Sequence, residues 1–299
     1  MRSVLPKLSN TAHSPDFREW RPSSFEAFLP ELDHIIDSCE GEDPLPLFRG
    51  QSDSSWFLDS KFLRFSIQNI FKLPNHYKLP EKIRQDIRFH KVITHLFFLK
   101  FGVIGNPSQE AIEAEMVHDI DPWFEWLKNL QQYPENDCII PGTFFLDWTF
   151  SKDIALYFAT YVVKGRSFTV HSGDGALWIF DAASTGKILQ TKKLGEILKM
   201  MDCDEFFNGK KTFPLLFHPK NQILQAKNQD PIYIAQMDFR YDLAAIWADY
   251  ENRQEKKVYV KLILPGEAKL EALNYLKARN IDENYVFQSD TFKNSPGSN

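Results

Sequence analysis

Apolar residues recur along this chain with two different periods, and the switches between them outline its elements. Phe25, Phe28, Leu29, Leu32, Ile35 and Ile36 fall on one stripe of a 3.6-residue repeat, which predicts a helix over 24–37. Ser23 followed by Glu26 resembles a capping box, and Pro30 costs that helix a hydrogen bond unless it starts nearby. The next run, LPLFRGQ, is short and apolar and reads as a strand that delivers Arg49 at its end. Residues 80–101 predict a long helix with Ile83, Ile87, Ile93, Leu96, Phe97 and Phe101 on its apolar face. A second helical stretch follows over 108–130, and the two form a helical block inserted over about 80–130.

The second half mixes the two periods more closely. TFFLDWT reads as a strand, and Ser151 then opens a helix, SKDIALYFATYVV, as its N-cap. ALWIF is an apolar strand, TGKILQTKKLGEILKMM is helical, and PIYIAQMDF and KKVYVKLIL are β-rich. GEAKLEALNYLKARN is a helix carrying Leu270, Leu273 and Leu276. Strands and helices that mix without strict alternation predict an α+β fold. No Gly/Ser- or Pro-rich linker divides the middle. The expected organisation is therefore one domain over 21–289, a loose arm over 1–20 and a disordered tail over 290–299.

Composition narrows the function classes. Hydrophobic residues make up 43% of the 299 positions and aromatics 14%, enough for a sizeable core and too much for a disordered chain. The net charge of −5 provides no global basic surplus for nucleic acid. Cys39, Cys138 and Cys203 are far apart and form no CxxC, which excludes a disulfide framework or zinc ribbon. His90 and His95 miss the i,i+4 spacing of a helical metal pair, so no metal is expected. P-loop, GxGxxG and GxSxG patterns are missing. The stretch from Ile93 to Ile104 contains His95 and Lys100 and falls short of the ~20 residues of a membrane span. These features predict a cytoplasmic protein with no membrane partner.

Three motifs carry a family resemblance. Phe48, Arg49, Gly50 and Gln51, followed by Trp56, Leu58, Ser60 and Arg64, resemble the opening signature of the FRG domain family. LDWT at Leu146 to Thr149 with ALYFA at Ala155 to Ala159 resembles its second signature. Gly142 and Phe144 depart from that signature, standing where the family has Pro and Arg, as do Gln131, Gln132 and Tyr133 in place of a Gln-His-x-Gly segment. IYIAQMDF with Gln236 resembles the third, and the closing segment from Ile263 resembles the family's terminal strand and helix. The likeness covers roughly 23–290.

The order of these motifs is similar to the Arg…Ser-Thr-Ser…Glu plan of ADP-ribosyltransferases. That likeness implies an ADP-ribosyltransferase-like mixed or antiparallel β core and NAD as substrate. Arg49 would contact the NAD phosphate or ribose, since a pyrophosphate suits a planar bidentate guanidinium; alternatively it is a structural arginine paired with Asp147. Gly50 lets a ligand approach the backbone or serves a turn. Thr149 and Ser151 brace the nicotinamide pocket, or serve strand propensity and helix capping. Trp148 stacks on a ring or, the better reading for an apolar strand, belongs to the core. Asp147, in an apolar run, calls for a partner such as Arg49 or Arg64. Gln236 stands where an active transferase has Glu and is expected to line the pocket; Asp238, two residues on, is either a catalytic carboxylate or a solvent-facing strand residue.

The resemblance thus implies transfer of ADP-ribose to a macromolecular acceptor, protein or nucleic acid, or hydrolysis of NAD. By fold analogy alone it suggests a toxin or phage-defence role. Two alternatives stand beside it. One is a catalytically silent module that recognises a nucleotide or nucleic acid through the same Arg49–Gln236 pocket. The other is a helical interaction scaffold built on 80–130.

Overall fold

A computed structural model describes residues 19–39, 45–104, 141–164, 167–185, 215–217, 228–236, 238–255 and 257–287. Residues 1–18 of the arm expected over 1–20, the stretches 108–130 and 186–201, Gln131, Gln132 and Tyr133, and the tail expected over 290–299 lie outside them; the end of that arm, Glu19–Trp20, is not loose but pairs in the sheet with Lys261–Leu262.

The fold is α+β. Its centre is β2, Pro46–Gln51, the fourth of seven strands in a mixed sheet. On one side lie β6 (Gly175–Asp181), β9 (Tyr259–Leu264) and the short β1 (Glu19–Trp20). On the other lie β3 (Phe145–Thr149), β8 (Pro231–Ala235) and β7 (Leu215–Phe217). The β1–β9 pair is parallel and the remaining pairs are antiparallel. The central strands are apolar with few interruptions, as a sheet covered on both faces requires.

Side-chain alternation sends the two residue sets of β2 to different layers. Phe48 joins Leu177, Ile179 and Leu262 beneath three helices: α1 (Phe25–Asp37), α5 (Lys152–Thr160) and α7 (Lys269–Lys277). Leu47 joins Leu146, Trp148, Trp178 and Phe180 beneath α6, Leu243–Gln254. In that second layer Trp247 of α6 stacks on Phe180, with centroids 4.1 Å apart and planes 5° from parallel. Asp242 caps α6 by accepting from the Ala245 amide.

Several elements depart from the expected pattern. The helix expected over 80–101 is broken into α3 (Glu81–Arg84) and α4 (Ile87–Ile104). The break falls where Asp86 turns its carboxylate onto the Arg88 amide, 2.8 Å away, and starts a new helix. The helix opened by Ser151 stops at Thr160, and the β-branched Val162–Val163 pair continues as β4 (Tyr161–Lys164) in a hairpin with β5 (Ser167–Val170). Leu270 on α7 is 66% exposed and takes no part in the core. Helix α6 shows no clean stripe in the sequence, because its apolar residues are bunched in Leu243–Ala248 and polar ones follow from Asp249. Pro30 is carried inside α1, five residues past its start, and the cap is Ser24, which accepts from the Ala27 amide.

Candidate functional site

The sheet opens between β2 and β3. These strands share a single residue pair, Phe48 with Thr149. Beyond it, the half-buried Arg49 side chain bridges the gap and its Nη1 donates to the Asp147 carbonyl oxygen. Asp147 itself is exposed, and its charge acts on both Arg49 and Arg64, the partners expected for it. Burial pushes the Arg49 guanidinium down to about 10, Asp147 opposes that shift, and nearby Arg64 adds to it. The Arg49 Nε is buried with no hydrogen-bond partner. The two guanidiniums repel, and the carboxylates of Asp147 and Asp59 offset that repulsion.

Arg64 reaches this place from α2, Lys61–Phe65, a helix capped by the Ser60 hydroxyl on the Leu63 amide. A turn of π-helix, Ser66–Ile70, and a 3₁₀ turn, His76–Lys78, complete a polar excursion on the Arg49 side of the sheet. Between these turns and the 55–59 loop lies a cavity of about 400 Å³, lined by Trp56, Phe57, Asp59, Arg64, Asn75 and His76 among others. Trp56 is 41% exposed. Asp59 and His76 are buried, with His76 Nδ1 3.0 Å from Asp59 Oδ2. Burial lowers the pKa of Arg64, and Asp59 and Asp147 oppose the shift.

Gln236 holds this wall in place from behind and does not line the cavity. Its Oε1 accepts from the Ser60 amide at 2.7 Å. Its Nε2 donates to Asp59 Oδ1 at 2.9 Å and to the Tyr241 carbonyl at 3.0 Å. The side chain is wholly buried, and these three bonds fix where Asp59 points. The pocket-lining role expected of Gln236 is thus replaced by a bracing one, because the 57–60 segment folds between it and solvent.

A second buried carboxylate stands behind the first. Asp242 accepts from the Leu58 amide at 3.1 Å and from the Tyr77 hydroxyl at 2.6 Å. Burial raises its pKa, and the Asp59 charge raises it further. Tyr77 is held well above the usual phenol value by burial and by Asp242.

The remaining candidates have other roles. Asp238 is neither solvent-facing nor in a strand. It lies past the end of β8, buried, with its carboxylate gripped by Arg240 through Nε at 2.9 and 3.1 Å and Nη2 at 2.6 Å. Burial alone would raise its pKa, but Arg240 outweighs that and holds it low. Thr149 donates to the Gln229 carbonyl at 2.6 Å and accepts from the Ser151 amide. Ser151 caps α5 through the Ile154 amide at 3.3 Å. Trp148 is core, against Phe180 and edge-on to Trp247.

Gly50 faces away from the cavity. A Cβ there would lie 1.8 Å from the Ala155 carbonyl oxygen and 2.6 Å from the Ala159 amide nitrogen. Glycine at 50 and alanines at 155 and 159 therefore explain one another: they let α5 lie directly on β2. The structure thus unites the first and second motifs by packing. It brings Arg49, Arg64, Trp56 and Gln236 into one neighbourhood and leaves Gly50, Trp148, Thr149, Ser151 and Asp238 out of the cavity wall.

Reading the sequence did not find Asp59, Asn75 or His76. Asp59 was within reach, since it lies between the quoted Leu58 and Ser60. Asn75 and His76 sit in a polar stretch with no periodicity, where nothing marks them. Among the described residues no group of three or more His, Cys, Asp or Glu is placed to hold a metal ion, and no helix is long and apolar enough to cross a membrane. Compared with known proteins, this chain matches no family model, no curated protein and no solved structure.

Proposed function

We propose that this chain is an FRG-type protein that binds a phosphate-bearing nucleotide, NAD being the first candidate, in the cavity beside β2. The observation that carries this reading is the Arg49–Arg64 pair. Arg64 lines the cavity, and Arg49, on which the Arg64 charge acts, keeps a buried Nε without a partner. A phosphate or pyrophosphate offers acceptors that suit such guanidiniums. The exposed indole of Trp56 offers a face on which a ring can stack.

Recognition without turnover is the better supported half of the expectation. Gln236 has its three hydrogen bonds inside the protein, and Asp238 is committed to Arg240. Neither is free to stabilise an oxocarbenium-like charge. A specific observation favours turnover as a second reading. Asp59 and His76 form a carboxylate–imidazole pair on the cavity wall, the kind of pair that can move a proton. In that case ADP-ribose goes to water or to a macromolecular acceptor.

Calorimetry with NAD and ADP-ribose tests the proposal. Saturable binding that weakens about tenfold or more in Arg49→Ala and in Arg64→Ala supports it. Equal affinity in folded variants overturns it. Nicotinamide release, followed in the same samples, separates the two readings.

A further inference from the structure

We infer that the rim of the cavity carries the backbone of a single-stranded nucleic acid whose terminal nucleotide enters the cavity. The inference rests on the nucleotide reading above and names the macromolecular partner of that site. The segment from Ser60 to Pro80, which builds much of the cavity wall, contains Lys61, Arg64, Lys72 and Lys78 and no acidic residue, in a chain whose net charge is −5. All three lysines are exposed. Lys61 and Arg64 are three residues apart on α2 and so share a side of it. Lys72 stands in the turn of a loop closed by three hydrogen bonds. The Phe71 amide donates to the Ser66 carbonyl at 3.2 Å, the Leu73 amide to the Ile67 carbonyl at 3.1 Å, and Gln68 Nε2 to the Pro74 carbonyl at 3.4 Å. Both arms of that loop, through Ile67, Gln68 and Pro74, line the cavity. Lys78 lies two residues past His76, another lining residue.

Acids on the neighbouring elements are engaged elsewhere. Asp59 is buried and bonded to Gln236, Asp53 accepts from the Ser55 amide and hydroxyl, and Asp147 acts on Arg49 and Arg64. Glu81 lies beyond Pro80, at the start of α3. A cavity of about 400 Å³ is at the small end of ligand sites and has room for one nucleotide. A longer strand must therefore leave across the rim, where exposed lysines meet its phosphates. Arg64 is placed for the terminal phosphate, and Trp56 and Phe57 offer faces on which a base stacks. Positive charge interleaved with aromatic faces is the chemistry that holds single strands without reading their sequence.

The test measures fluorescence anisotropy of internally labelled single strands of ~10 nucleotides, with a phosphate at one end or the other, as RNA and as DNA, on the full chain. The expected result is that one of these strands binds about tenfold tighter than AMP or more, and that strand names the sugar and the end. The double variant Lys72→Ala, Lys78→Ala should weaken strand binding about fivefold or more and leave NAD affinity within about twofold. It should also flatten the dependence of log affinity on log salt by about 0.7 for each lysine removed. Strand binding no tighter than that of AMP, or unchanged in the folded double variant, overturns the inference while leaving NAD binding intact. Displacement of the strand by poly-glutamate as readily as by unlabelled strand also overturns it, because the rim is then a general polyanion surface. Failure of every strand and of NAD to bind overturns the inference together with the reading it rests on.

Discussion

The two faces of strand β2 are one residue apart and are built on opposite principles. On the face of Phe48 and Gly50, the strand meets α5 so closely that no side chain fits at position 50. Everything there is apolar or small, and the contact is steric. On the face of Leu47, Arg49 and Gln51, Leu47 packs into the core and the two polar residues are held by hydrogen bonds. Gln51 accepts from the Trp178 indole at 2.7 Å and donates to the Phe57 carbonyl at 3.2 Å. Arg49 bridges to the Asp147 carbonyl, and the Asp59–Gln236 network stands beyond it. Three consecutive residues, Phe48, Arg49 and Gly50, therefore have three tasks, and only the middle one faces the cavity side. The steric face tolerates no added atom, and the polar face tolerates no lost partner.

That contrast can be broken in several places, beginning with the most severe. Asp238→Ala leaves the Arg240 guanidinium buried without its carboxylate and should cost about 3–5 kcal/mol in denaturant unfolding. If it costs less than about 1 kcal/mol, the pair is not the buried anchor described here. Gly50→Ala adds one methyl to the steric face and should destabilise by about 3 kcal/mol, because the atom it meets is backbone of α5. Gln236→Leu keeps volume but orphans the Ser60 amide and Asp59 Oδ1, and about 2 kcal/mol should be lost. A neutral outcome would show that water substitutes for the amide.

A smaller effect depends on pH. Lys269 of α7 is enclosed and donates to the carbonyls of Ser52 and His171 at 2.7 and 3.1 Å. Burial lowers its pKa to about 8, with Asp174 and Asp53 opposing. The unfolded chain, with an ordinary lysine near ~10.4, keeps the proton longer. Between those values the unfolded state therefore binds more protons, and stability should rise with pH through that window. Urea midpoints at pH 8 and pH 10 for the wild type and Lys269→Met should show the rise in the first and a flatter response in the second. Arg49→Ala should move stability least of all, by about 1 kcal/mol or less, because it removes one bond from a half-buried side chain. Its effect belongs to ligand affinity, which is what distinguishes the cavity-side residue from its neighbours.

Much of the local structure could be read directly. The periodic stripe of α1, the Ser151 cap, and β2, β3, β6, β8 and β9 are all properties of a few neighbouring residues. Period and capping depend only on backbone geometry. The elements that went astray are those where local preference competes with something distant. The break at Gln85–Asp86 lies where Gln85 reaches Tyr241 and Arg240, over 150 residues away. Helix α6 is apolar on every side over its first six residues and mostly polar from Asp249 on, and that leaves no stripe to detect.

The candidate site divides the same way. Residue type and spacing alone place Arg49 on a strand beside a glycine, Ser151 at a helix start and Gln236 after a β run. Which of these faces a cavity was decided only by the tertiary structure. The 57–60 segment folds over Gln236 and turns it into a brace, α5 settles on Gly50 and removes it from ligand reach, and Arg240 closes on Asp238. His76 meets Asp59 across a turn that has no pattern of its own. A side chain's neighbours depend on how distant segments pack and which buried polar groups must be satisfied, and no local period records that.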